Sequence, residues 1–130
     1  MTTLNSPPEE TLYRRLGGYD VIAAVIDEFL SRFGSDPTLA RFGEGRSPDS
    51  RQRARQLLID QICSLAGGLC VYIGRDMKTA HAGLGIPDAE WQANMQYASA
   101  ALEKHGVALT EKEEFLTIFQ KYKDDIVEQS

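Results

Sequence analysis

Gly74-Arg75-Asp76-Met77-Lys78-Thr79-Ala80-His81-Ala82-Gly83-Leu84-Gly85 is the most informative stretch of this chain. Its glycines confine a helix of about two turns, Asp76 to Ala82, between two breaks. Within it Met77 precedes His81 by four residues, so both side chains share one helix face. A histidine so isolated reads as either a capping or packing residue or a ligand, and spacing alone leaves the first as the commoner reading.

Outward from this stretch the apolar residues recur at helical spacing, with no sustained strand alternation. Leu12, Tyr13 and Leu16 predict a short helix that stops at Gly17-Gly18. A second helix is expected over Asp20–Phe33, with Ile22, Ile26, Phe29 and Phe33 as its buried stripe and Gly34 at its end. Ser35-Asp36-Pro37 then signals a new helical start carrying Leu39, Ala40 and Phe42. Ser47-Pro48 repeats that signal before a helix with Ala54, Leu58, Ile62 and Leu65 on one face, ended by Gly67-Gly68. Leu69 to Ile73 has no plausible partner strand and reads as an irregular connection.

After the histidine segment, Pro87-Asp88 opens a longer helix bearing Trp91, Met95, Ala98 and Leu102, closed by Gly106. Thr110-Glu111-Lys112-Glu113 has the form of a capping box, and Phe115, Ile118, Phe119, Tyr122 and Ile126 follow on the last helix. The expected class is all-α: a loosely ordered lead-in over residues 1–10 and one domain over residues 11–130.

Composition narrows the function. With 130 residues and 42% hydrophobic content the chain supports one domain with a real core. A net charge of −5 argues against general nucleic-acid or membrane-surface binding. No apolar run approaches the length of a bilayer span, and Met1 to Glu10 is polar and acidic, unlike a secretory signal. A cytoplasmic location is therefore expected, and with it free thiols at Cys63 and Cys70.

Reagents are few: two histidines, no catalytic serine or cysteine setting and no phosphate-binding glycine loop. His105 sits where a cation complements a helix C-terminus and reads as structural and exposed. His81 differs: imidazole is a ligand for haem iron, and a polarizable methionine on the same face suits a porphyrin surface. The small Ala80, Ala82 and Gly83 would let a flat cofactor approach the backbone. Arg46, Arg51, Arg53 and Arg55 crowd one helix start, most simply as a solvated face, although one or two suit the carboxylates of a cofactor.

Tyr72 to Ile86 closely resembles the proximal segment of the group I truncated haemoglobins, and the resemblance extends from Leu12 to Val127, including both glycine pairs. It implies a truncated globin, a two-over-two helical sandwich around haem b, in which Asp20–Phe33 and Ser47–Ala66 face Pro87–His105 and Thr110–Val127. It makes His81 the iron ligand and places Phe42, Leu58, Ile62, Met77, Ile86, Trp91, Met95, Ile118 and Phe119 around the cofactor. It assigns the gas-binding side to Phe29, Leu30, Leu58 and the neighbouring amides Gln56 and Gln61, with Gln52 a further candidate. The family's distal tyrosine is here Leu30, and its distal glutamine aligns with Leu58, or with Gln56 after a two-residue shift. No histidine lies on the distal helix, so a five-coordinate iron is expected.

The resemblance therefore implies a haem protein for oxygen, NO and CO, monomeric or weakly dimeric, in a largely apolar pocket. The alternative is a nitric-oxide dioxygenase served by an external reductase, since the chain has no flavin or nicotinamide signature. The loss of the tyrosine hydroxyl weakens the hold on oxygen and favours binding over catalysis. A haem-free helical adaptor is a third reading.

Overall fold

A computed structural model describes residues 11–129, apart from Glu44 and Ala82. The expected lead-in at residues 1–10 lies outside the described residues, as does Ser130.

Seven helices carry the described chain: α1 Leu12–Leu16, α2 Tyr19–Ser35, α3 Pro48–Leu65, α4 Met77–His81, α5 Asp88–Lys104, α6 Leu109–Gln120 and α7 Lys123–Ile126. Local chemistry sets their starts and stops. The Thr11 hydroxyl accepts from the Arg14 N–H at 3.2 Å, and Gly17 ends α1 at φ 112°. Ser47 caps α3 by accepting from the Ser50 N–H at 3.1 Å, with Pro48 at the first position, as the sequence predicts.

Three boundaries differ from expectation. α2 runs through Gly34, because Ser35 bonds back to the Ser31 carbonyl and the Asp36 N–H to that of Phe33. Beyond it the chain does not resume an α-helix: the Asp36 carboxylate accepts from the Thr38 N–H at 2.8 Å, forming a turn that leads into a 3-10 segment at Ala40–Gly43. The capping box at Thr110 is not formed. The cap is Ala108, two residues before the expected Thr110, and Glu111 pairs with Arg15 at 2.8 Å.

α2 packs against both α3 and α5, α5 against α6, and α1 against α2 and α6. The pairs α2/α3 and α5/α6 thus form two layers, and their shared interior holds Ile22, Val25, Ile26, Ile59, Ile62, Ala98, Ala101, Leu102 and Phe115. The buried side of α3 is Ile59, Gln61, Ile62 and Cys63, with Ala66 at its cap; of the expected stripe Ile62 is buried and Leu58 packs against the core, while Leu65 is 46% exposed. Ionic links brace the layers from outside, with Glu28 between Arg32 and Lys104.

The last predicted helix is interrupted at Lys121–Tyr122 and continues as α7. Val127–Gln129 (β2) then runs parallel to Ile86–Pro87 (β1), an element the sequence did not announce. The ladder steps irregularly between Ile86 and Pro87, as it must where proline brings no N–H. No helix among the described residues is long and apolar enough to cross a membrane.

The expected free thiols are corrected: Cys63 and Cys70 form a disulfide, their Cα atoms 5.8 Å apart. The compartment argument considered redox poise and not the turn between them. At Gly67 φ is +98°, the Gly68 N–H bonds to the Cys63 carbonyl at 2.8 Å, and the chain doubles back on the end of α3. The turn has no room for side chains, since a Cβ on Gly68 would lie 2.6 Å from both Cys63 Sγ and Tyr13 Cδ1.

A candidate cofactor site around His81

His81 ends α4, a helix too short to persist by itself. α4 is held by α7, which packs on it, and by Asp76, whose carboxylate accepts from the Thr79 N–H at 3.3 Å. Those bonds from Thr79 hold the Asp76 carboxyl below its ordinary range. The histidine is half-buried, and its Nδ1 lies 2.9 Å from the Met77 carbonyl oxygen. A carbonyl oxygen can only accept, so Nδ1 carries the hydrogen. In the uncharged ring Nε2 then keeps its lone pair, the arrangement found in metal-ligating histidines whose other nitrogen is fixed by an outer partner.

The donor set is correspondingly sparse. Among the described residues no three His, Cys, Asp or Glu side chains gather to hold an ion. A single oriented imidazole fits a metal that arrives with its remaining ligands, as iron does in a porphyrin.

The apolar residues assigned to the site fall into two groups. Phe29, Ile62, Trp91, Ile118 and Phe119 are buried in one cluster, with Leu30, Leu58 and Met95 packed against it. Rings link this cluster to the 3-10 segment: Phe119 to Phe29 at 5.8 Å, Phe29 to Phe33 at 5.9 Å, and Phe33 to Phe42 at 6.2 Å between centroids. The Arg41 guanidinium lies over Phe42 at 4.1 Å and pairs with Glu90 of α5 at 2.6 Å. Met77, His81 and Ile86 stand outside the cluster, on the segment that α7 and β2 hold. α3 and α4 make no extensive contact with each other among the described residues.

The amides separate clearly. Gln56 is exposed, and its Nε2 donates to Tyr19 Oη at 2.8 Å and Asp60 Oδ1 at 3.0 Å. Gln52 is exposed as well. Gln61 is buried at 8% exposure, the one buried polar residue among those described. Arg55, a candidate for cofactor carboxylates, is engaged by Asp27 through two bonds of 2.5 and 2.9 Å. His105 is exposed at the end of α5, as expected. What sequence reasoning missed is the support around the histidine: the Met77 carbonyl, the Asp76 cap and the β1–β2 pair. The i, i+4 spacing of Met77 and His81 was the available signal for the first.

The sequence model of the bacterial-like globins matches residues 11–128. The chain is 30% identical to the group 1 truncated hemoglobin LI410 of Chlamydomonas moewusii over 75% of its length, and spans 56% of that protein. It is also 30% identical to the group 1 truncated hemoglobin GlbN of a Nostoc species, covering 75% of this chain and 80% of that one. Of solved structures, the truncated hemoglobin of Tetrahymena pyriformis in the Fe(III) form superposes with a TM-score of 0.82 at 23% identity, covering 91% of this chain and 98% of that one. THB1 of Chlamydomonas reinhardtii superposes at 0.76 and 25% identity, covering 92% and 98%.

Proposed function

The chain belongs to the bacterial-like globin family, among the group 1 truncated hemoglobins, and on that footing we propose that it holds haem b through His81 Nε2 and binds diatomic gases on the opposite side. The observation that carries this reading is the hydrogen bond from His81 Nδ1 to the Met77 carbonyl at 2.9 Å, which leaves Nε2 available as a ligand. Haem, when bound, would supply an iron able to take up oxygen, NO or CO.

The rest is work for the chain's own side chains. The backbone carbonyl of Met77 fixes the imidazole's tautomer and limits its rotation. Met77, Ile86, Trp91, Ile118 and Phe119 supply apolar surface for the ring, with Phe42 at its edge, and exclude water from it. Phe29, Leu30, Leu58 and Ile62 make the gas side largely apolar. Leu30 has no hydrogen to donate, so polar help for a gas falls to Gln61, the buried amide; Gln56 is committed at the surface. α3 carries no histidine, so that helix would offer the iron no second imidazole.

Titration of the purified chain with haem, followed by reduction and addition of CO, tests the reading. The expected result is an intense Soret band that moves on CO binding and is lost in His81→Ala, with imidazole restoring a five-coordinate spectrum. A His81→Ala variant that takes up haem as tightly as the wild type and gives the same ferrous spectrum refutes it.

A further inference from the structure

Trp91 carries a donor that the protein itself does not use. It stands on the first turn of α5, is 3% exposed, and its Nε1 is the buried side-chain nitrogen or oxygen without a hydrogen-bond partner among the described residues. An indole N–H can only donate, and burying it without an acceptor is destabilising enough that folded chains rarely leave one alone.

Three polar side chains of α5 are already engaged. Asp88 pairs with Lys123 at 3.0 Å, Glu90 with Arg41 at 2.6 Å, and Tyr97 donates to Asp36 at 2.5 Å. Among the described residues none accepts from Trp91, and an acceptor brought by a bound group would answer it. α5 continues directly from the His81 segment through β1, so the orphaned donor sits ten residues beyond the candidate iron ligand. On the other side, Arg55 is taken by Asp27 and cannot be the obvious recogniser of an anionic cofactor edge.

From these placements we propose that the Trp91 indole N–H donates to a carboxylate of the bound porphyrin. This rests on the haem reading above and adds the residue that selects for the acid side chains of the macrocycle. A carboxylate answers the donor better than a ring carbon or a neutral gas, because a hydrogen bond to a charged acceptor is roughly twice as strong as one between neutral groups. Trp91 thus acts as a positioning residue, fixing the rotation of the ring about the iron–histidine axis.

The chain has a single tryptophan, so one indole cross-peak in a 15N-labelled sample reports the bond. Zinc protoporphyrin IX, which is diamagnetic, and its dimethyl ester serve as probes. The expected result is a downfield shift of the indole proton with the diacid and a clearly smaller one with the ester. Trp91→Phe should shed the diacid about tenfold faster than the wild type while the haem-free variant unfolds at the same or a higher denaturant midpoint. Equal indole shifts with acid and ester overturn the proposal, as does a Trp91→Phe variant that loses stability without haem yet sheds the porphyrin at the wild-type rate. A variant altered only in gas release also overturns it, placing the donor on the gas side. Failure of the wild type to bind either porphyrin would sink the haem reading itself, and that outcome is visible before any variant is made.

Discussion

Reducing the Cys63–Cys70 bond should cost the protein a measurable share of its stability without unfolding it. The bond joins residues separated by 7 in sequence and closes a loop of about eight residues. Restricting the unfolded chain by a loop of that size stabilises the native state by about 2.5 kcal/mol. With a urea dependence of about 1–3 kcal/mol per molar for a domain of this size, the unfolding midpoint should fall by roughly 1–2 M on adding dithiothreitol. Cys70→Ala is the cleaner mutant, because Cys63 is wholly buried and its replacement would also leave a cavity. Thiol titration should find no free thiol in the air-oxidised protein and two after reduction. Oxidised and reduced protein unfolding at the same urea concentration, or a Cys70→Ala protein that still responds to reductant, would refute the argument. In a reducing compartment the dithiol form is the one expected, and the lower midpoint would apply there.

Leu30→Tyr should restore a donor on the gas side and slow oxygen release in stopped flow by about ten- to a hundredfold, leaving CO nearly unaffected. Tyr97→Phe tests the Tyr97–Asp36 bond through pH: the tyrosine hydroxyl holds the Asp36 carboxyl below its ordinary range, and Asp36 in turn raises the Tyr97 hydroxyl. The stability owed to Asp36 is present above the unfolded carboxylate value of about 4 and lost as pH falls through the lower folded value; that owed to Tyr97 is present below about 10 and lost as pH rises past it. Thermal melts should therefore show wild type above Tyr97→Phe near neutrality, with the gap closing at both extremes. Gly68→Ala should lower stability by about 1–3 kcal/mol in the same urea assay, since its Cβ meets the Cys63 sulfur and the Tyr13 ring at 2.6 Å.

Much of the architecture could be read from the chain because its punctuation is local. Gly17, Ser47-Pro48 and the glycines around His81 act through the conformations they allow within one turn, and helices α1, α3, α4 and α5 begin or end where those signals stand. Errors arose where distant contacts decide. The apolar spacing of α3 fits Ala54, Leu58, Ile62 and Leu65 as readily as Ile59, Ile62, Cys63 and Ala66, and only the packing against α2 selects the second. α6 starts at Leu109, ahead of the Thr110 signal, and its Glu111 and Glu114 both reach Arg15 of α1, 99 residues from Glu114 along the chain. Strands of two and three residues are too short to show alternation, so β1 and β2 leave no mark in the sequence. At the site, a resemblance could name His81 but not the carbonyl that orients it, nor the unanswered indole of Trp91.

The parallel pairing of Ile86–Pro87 with Val127–Gln129 gives the tail of the molecule an unexpected duty. A five-residue helix has almost no cohesion of its own, so the hold proposed for its terminal imidazole depends on whatever clasps the helix. Here the clasp is the final stretch of the chain: α7 against the helix and β2 against the strand that leaves it. Removing Val127–Gln129 should loosen the segment that carries the proposed iron ligand.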